Sequence, residues 1–297
     1  MEKNVKKIIV IAGPTTSGKT ALSIKLAQHF QGEIINADSV QIYQKFDIGS
    51  AKVTLEEQNN IKHHLLNVIS PKDCYNIYDF QKDVRKIIPQ IDVPFLVGGS
   101  GLYIKAALFD YEFEGKVLPK NYLDEKVDIK QLLQAVKEKD PHLVLDENNP
   151  HRIISAYQHL NQSKLRSDKQ GKNTPLFDFL VIYLDIKRKI LKQRIVLRLE
   201  QMLEKGFIEE VKILIKDYPQ TNFNIIGYRE IKLFLEDQIT LEEAKRLIIS
   251  KTFKYAKRQK TWFKNQIKPL FVIDALSNDL ENQAINIIEK FLKKESD

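Results

Sequence analysis

The chain has 297 residues, 43% of them hydrophobic and 29% charged, enough to bury a full core and ordinary for a globular protein. No apolar run approaches the roughly 20 residues that cross a bilayer, Met1-Glu2-Lys3 leads straight into a short apolar stretch rather than a secretory signal, and the lone Cys74 excludes an internal disulfide. We therefore expect a cytoplasmic protein with no membrane partner and with Cys74 packed as a small hydrophobe, while the net charge of +8 leans weakly towards a polyanionic ligand.

Residues 6–12 read as a buried strand, a short β-branched run ended by Gly13-Pro14. A helix is predicted over 19–30, with Ala21, Leu22, Ile24, Leu26 and Ala27 on its apolar face. Residues 33–37 form a second strand with Asp38 at its C-terminal end, and 94–97 a third, closed by Gly98-Gly99. Between about 113 and 174 no strand is evident. Helices are predicted there over 129–138 and 152–160, with Pro141 and Pro150 as breaks and 161–173 as a polar loop. Strands follow at 179–184 and 271–273, among long helices at 187–205, 208–216 and 241–264.

Short buried strands separated by helices predict an α/β fold with a P-loop NTPase-like parallel sheet. Residues 1–112 and 176–297 then form the core, the second part largely helical, and 113–175 form a helical insertion. Ligands of such sheets sit beyond the carboxyl ends of the strands, so the loops at Gly13, Asp38 and Gly98 should meet in one cleft.

Gly13-Pro14-Thr15-Thr16-Ser17-Gly18-Lys19-Thr20 matches G-x-x-x-x-G-K-[ST] between a predicted strand and a predicted helix, the context that gives the motif its meaning. Its glycines let successive backbone N–H groups curl around phosphate oxygens, and the helix N-terminus adds a favourable dipole. Lys19 would place a cation on the diphosphate, and Thr20 would offer its hydroxyl to Mg²⁺. The loop specifies a diphosphate rather than ATP, and a kinase is the plainest default.

Two further loops argue against that default. Asp38-Ser39-Val40-Gln41-Ile42-Tyr43 is followed by Ile48-Gly49-Ser50-Ala51-Lys52, and the second glycine-rich loop reads Val97-Gly98-Gly99-Ser100-Gly101-Leu102-Tyr103. His63-His64-Leu65, Arg152-Ile153, Ile226-Gly227-Tyr228-Arg229-Glu230 and Ala256-Lys257-Arg258-Gln259-Lys260-Thr261-Trp262 come later. In this order, from Gly13 to Trp262, the set resembles the tRNA dimethylallyltransferase family, which attaches a dimethylallyl group to N6 of the adenosine next to the anticodon. The resemblance implies dimethylallyl diphosphate and tRNA as partners, Mg²⁺ as cofactor, and no obligate protein partner.

Attack by an adenine amine on an allylic diphosphate needs a base, a cradle for the leaving diphosphate, and an adenine held out of its stack. Taken with the resemblance, this makes Asp38 the candidate base and Lys19 and Ser100 its catalytic companions. A Mg²⁺-binding or helix-capping role is the alternative for Asp38, and a turn role for Ser100. Gln41 would read the target base by its amide, with Ser39 and Val40 at the same entry. His151, Arg152, Arg229, Lys257 and Arg258 complete the implied tRNA contacts. Tyr43 and Tyr103 are as readily core residues as stacking platforms. His63-His64 lack the further ligands that a zinc site needs.

On a helical wheel over 248–268, Ile248, Ile249, Tyr255, Ala256, Trp262 and Phe263 share one arc. Lys251, Lys254, Lys257, Arg258, Lys260, Lys264 and Lys268 share the other half, with Phe253 among them. No acidic residue occurs from Ser250 to Leu270, so this stripe is expected to lack salt-bridge partners and to hold an RNA backbone. Against the family pattern, Ser155 and Phe253 stand where relatives commonly carry Arg. Alternative readings are a prenyltransferase of free adenine nucleotides, a small-molecule or nucleotide kinase, which would usually carry an Arg-rich lid that is not evident here, and an RNA-binding protein with a degenerate P-loop.

Overall fold

A computed structural model of the chain describes residues 6–113, 128–161, 164–168 and 173–294, with the side chain of His151 outside the described set. Among these residues, β1 (Lys7–Ala12), β2 (Glu33–Asn36), β3 (His63–His64), β4 (Pro94–Gly98), β5 (Asp178–Asp185) and β6 (Leu270–Asp274) form one six-stranded sheet. Its order is β3-β2-β4-β1-β5-β6, and every neighbouring pair is parallel. Central β1 is buried from Ile8 to Ala12 because both of its faces are covered, which is why its sequence is continuously apolar rather than alternating. In register, Ala12 lies beside Gly98 on one side and Tyr183 on the other.

The chain divides into two compact units, one of Met1–Leu108 with Phe177–Asp297 and one of Phe109–Leu176. In the first unit, the sheet is packed by α1 (Lys19–His29) and α10 (Leu280–Lys293) through a core that includes Ile9, Leu26, Phe95, Ile182 and Ile288. Helices α2 (Ile77–Ile87) and α3 (Gly101–Leu108) pack on each other, with Phe80 against Tyr103 at 4.6 Å between ring centroids. A second core joins α6 (Arg188–Glu204), α7 (Phe207–Asp217), α8 (Tyr228–Leu235) and α9 (Leu241–Gln266) around Phe46, Phe207, Tyr228 and Ile248. The second unit contains α4 (Ile129–Lys139) and α5 (Pro150–Gln158), whose Val136, Ile153 and Ala156 are buried.

Pro150 is the first residue of α5 rather than a break: proline is tolerated there because that N–H has no intrahelical partner, and Asn149 caps the turn by accepting from Arg152 N–H. Cys74 is exposed, not packed, because it falls in the turn before the Asn76 cap of α2. Helices α2, α3, α8 and α10 and the short β3 were not among the predicted elements. Helix α9 ends at Gln266, so Lys268 lies beyond it and outside the helical wheel.

Candidate active site

The order β2-β4-β1 places the second glycine-rich loop between the P-loop and the Asp38 loop. All three emerge at the carboxyl edge of the sheet. The P-loop closes tightly, with Thr16 at φ 65° and Gly18 at φ 85°, both left-handed, which turns successive N–H groups towards one side. Gly18 tolerates this without a Cβ penalty and begins α1. Thr16 Oγ1 and Ser17 Oγ are buried with no hydrogen-bond partner in the protein, as expected for groups shaped around a polar ligand.

Lys19 Nζ donates to the Pro14 carbonyl at 3.2 Å. Burial pulls its pKa down to about 8, opposed by the Asp38 carboxylate and assisted by the Arg198 guanidinium. Arg198 is likewise pushed below its ordinary value by burial, with Asp38 and Glu57 pulling the other way. One helical turn earlier, Arg194 donates to the Thr16 carbonyl at 3.1 Å. Both arginines come from α6 and neither was anticipated as a site residue. The four-residue spacing puts them on one face, but nothing local to α6 says which face meets the P-loop.

Asp38 is held by its own neighbours. Asn36, almost fully buried at the end of β2, accepts from Asp38 N–H at 3.1 Å and donates to the Leu65 carbonyl at 3.0 Å. Asp38 Oδ1 accepts from Val40 N–H at 2.9 Å, fixing the carboxylate in a local turn.

Across the cleft, Gln259 of α9 is buried and donates to the Gly99 carbonyl at 2.8 Å. A Cβ on Gly99 would lie 2.4 Å from Gln259 Nε2, and one on Gly101 would lie 2.1 Å from the Trp262 ring, so the glycines let α9 dock. Tyr255, from the same helix, hydrogen-bonds with Ser100 and Gln259, and burial raises its pKa.

These groups surround a cavity of about 700 Å³, lined among others by Thr16, Lys19, Thr20, Asp38, Gln41 and Arg198. Of the sequence-derived candidates, Thr15 and Gly18 also line it. Ser100 stands behind its wall through Tyr255, and Val40 packs on the second core. Ser39 is partly exposed beside Asp38. Arg229 is exposed on α8 and donates to Asn224 Oδ1 at 3.4 Å. Arg152 is exposed on α5 of the second unit. His64 Nε2 donates to Glu33 Oε2 at 2.6 Å, and His63 Nδ1 lies 2.8 Å from the Ile61 carbonyl. No cluster of three metal-ligating side chains occurs among the described residues.

The basic stripe of α9 is partly paired after all. Lys251 reaches the buried Glu230 of α8 at 2.7 Å, and Lys260 reaches Asp185 at 2.7 Å. Their partners come from elements distant in sequence, which is why a scan of the helix alone missed them. Lys254, Lys257 and Arg258 are exposed and line a groove with Trp262. Phe253 has Arg188 over its ring at 5.1 Å, and Ser155 Oγ accepts from Arg166 at 3.5 Å. A guanidinium thus stands beside each of these two residues.

The family model described as IPP transferase matches residues 41–266, and one described as Isopentenyl transferase matches residues 6–70. The chain is 58% identical to the tRNA dimethylallyltransferase of Aster yellows witches'-broom phytoplasma (strain AYWB), across 97% of this chain and 99% of that one. It is 51% identical to the tRNA dimethylallyltransferase of Acholeplasma laidlawii (strain PG-8A), across 97% and 99%. Among solved structures, it is similar to a tRNA delta(2)-isopentenylpyrophosphate transferase from Staphylococcus epidermidis, with TM-score 0.73, 34% identity and coverage of 97% and 99%. It is also similar to a eukaryotic dimethylallyltransferase acting on tRNA, with TM-score 0.81, 29% identity and coverage of 98% and 81%.

Proposed function

Because this chain belongs to the tRNA dimethylallyltransferase family, we propose that it transfers a dimethylallyl group from dimethylallyl diphosphate to N6 of the adenosine at tRNA position 37, next to the anticodon. The observation that carries this reading is the meeting of a phosphate cradle, the Lys19 and Arg198 cations and the Asp38 carboxylate in a single cavity with Gln41. A kinase needs the cradle, but it has no need of a base aimed at an exocyclic amine.

In the proposed reaction, N6 attacks the allylic carbon, the C–O bond breaks, and its electron pair leaves on the diphosphate. Asp38 takes the amine proton; Val40 N–H occupies only one carboxylate oxygen, so the other is available. The P-loop N–H groups, Lys19 and Arg198 hold the diphosphate as its negative charge grows. Mg²⁺ binds through few protein groups plus phosphate oxygens, and the Thr20 hydroxyl on the cavity wall is an oxygen donor of that kind. Thr20, in the first turn of α1 on the cavity wall, would hold it with the diphosphate. When bound, the ion neutralises charge on the leaving group. Ser100 steadies Tyr255 at the wall, while Gln41 receives the base with Ser39 beside it; Lys257, Arg258, Arg229 and Arg152 meet the tRNA backbone. No helix among the described residues is long and apolar enough to cross a membrane, and we place the protein in the cytoplasm with its tRNA.

Incubation of purified protein with tRNA and dimethylallyl diphosphate, beside a parallel reaction with ATP, tests the proposal. Mass analysis of the digested nucleosides should show an adenosine heavier by one prenyl group only in the first. Phosphorylated product in the second, with no prenylated nucleoside in the first, would restore the kinase.

A further inference from the structure

The segment from Asp47 to Lys52 forms one wall of the cavity, yet it contains no regular element to hold it there. Its backbone N–H groups point to an anchor on another part of the chain. Asp47 N–H and Ile48 N–H donate to Glu210 Oε2 at 3.0 and 2.6 Å, and Gly49 N–H donates to Glu210 Oε1 at 3.1 Å. The next N–H, of Ser50, meets the hydroxyl of Tyr228, which itself donates to Glu210 Oε1 at 2.7 Å. Successive N–H groups converging on one anion make a nest, a motif that elsewhere binds phosphate. Here a carboxylate of the protein fills it. Gly49 also packs so close to Phe207 that a Cβ would lie 2.1 Å from its ring, so the loop and α7 are fitted together.

The carbonyl side of the same loop faces the site. Ser50 and Ala51 carbonyls accept from Gln41 Nε2 at 3.2 and 3.3 Å. Two carbonyl acceptors fix which way the amide lies, since only its nitrogen can donate. Gln41 therefore offers its oxygen, a hydrogen-bond acceptor, to the cavity. Lys52 closes the unit, donating to the Tyr43 carbonyl, Asp47 Oδ1 and Asn67 Oδ1 at 2.6, 2.7 and 2.6 Å.

We propose that Glu210 is a positioning residue that sets the loop 47–52 and, through it, the amide orientation of Gln41, so that the site selects a base presenting an N–H donor. Resting on the proposed tRNA prenylation, this adds a residue of α7, a helix that carries no group in the reaction itself. Glu210 touches neither substrate; it acts through backbone N–H groups and Gln41.

The test is a double-mutant cycle with Glu210→Gln and Gln41→Ala, scored by separate kcat and KM values for tRNA and for the prenyl donor. Glu210→Gln keeps the shape but turns one acceptor oxygen into a donor facing the loop N–H groups. Its KM for tRNA should rise about tenfold, with kcat and donor KM within about twofold, the pattern of lost binding rather than lost chemistry. Added to Gln41→Ala it should cost little more, because both changes remove one coupled unit. Glu209→Gln, one residue away and paired with exposed Lys212, serves as the unaltered control. Additive effects, or equal losses for both substrates, would mark Glu210 as merely structural and overturn the proposal. If Glu210→Gln fails to fold, amide exchange in the wild-type protein decides instead: the N–H groups of 47–49 should be protected to the level of α7, and free exchange there would overturn it. Failure of the underlying reaction is visible separately, as absence of prenylation by the wild-type protein.

Discussion

Asp38 and Lys19 lie in one another's field, and each sets what the other can do. With its pKa near 8, Lys19 is charged at neutral pH but loses the proton as pH rises through that value. Between about 8 and the unfolded value of 10.5 the folded chain binds fewer protons than the unfolded one, so this group alone makes stability rise with pH there. Donor binding runs the other way, because the diphosphate needs the cation. Titration calorimetry without tRNA should find dimethylallyl diphosphate bound about tenfold more weakly at one pH unit above that midpoint; flat affinity would free Lys19 from the diphosphate. For Asp38→Asn, turnover should fall by about a hundredfold or more while tRNA binding survives, the scale of a lost general base. Near-normal turnover in single-turnover kinetics would remove Asp38 from that role. Asp38, Lys19 and Thr20 were legible because a loop motif fixes their relation locally. Asn36 and Arg198 were not, because the Leu65 carbonyl that fixes Asn36 and the Asp38 and Glu57 carboxylates near Arg198 lie across the fold.

Helix α9 does two jobs on two faces. Its inner face docks Gln259 and Trp262 against a loop that has no side chains at Gly99 and Gly101. Gly99→Ala should therefore lower stability by about 1–3 kcal/mol in urea unfolding, the usual cost of forcing a side chain into a packed contact. No change would mean that the helix can shift. The outer face keeps Lys254, Lys257 and Arg258 free of the ion pairs that occupy Lys251 and Lys260. Lys257→Ala with Arg258→Ala should weaken tRNA binding and make its salt dependence shallower by about one to two in the log–log slope. An unchanged slope would put the RNA elsewhere. The two faces of α9 were readable from helical spacing, whereas α8 was not: its eight residues depend on Glu230 accepting from Gly227 N–H at 2.7 Å and on burial of Tyr228. Helix α10 did carry a readable stripe, with Leu280, Ala284, Ile288 and Phe291 on the core side.

At the scale of the molecule, five of the six strands could be read from short apolar runs: β1, β2, β4 and β5 because burial on both faces leaves that signature, and β6 from its own apolar run although Phe271 and Val272 are exposed. The exception, β3, is two residues long and owes its place to pairing with β2 rather than to its own sequence. Strand order was not legible either, yet it is what brings the site together: β4 between β2 and β1 sets the Ser100 loop between the carboxylate and the phosphate cradle. The central claim is that this arrangement directs attack to carbon and discards the diphosphate intact. A donor carrying isotopically heavy oxygen at the bridge between the prenyl carbon and phosphorus measures that directly. The expected result is heavy oxygen wholly in the released diphosphate, with none in the tRNA. Heavy oxygen left on the prenyl carbon, or phosphorus joined to the tRNA, would contradict it.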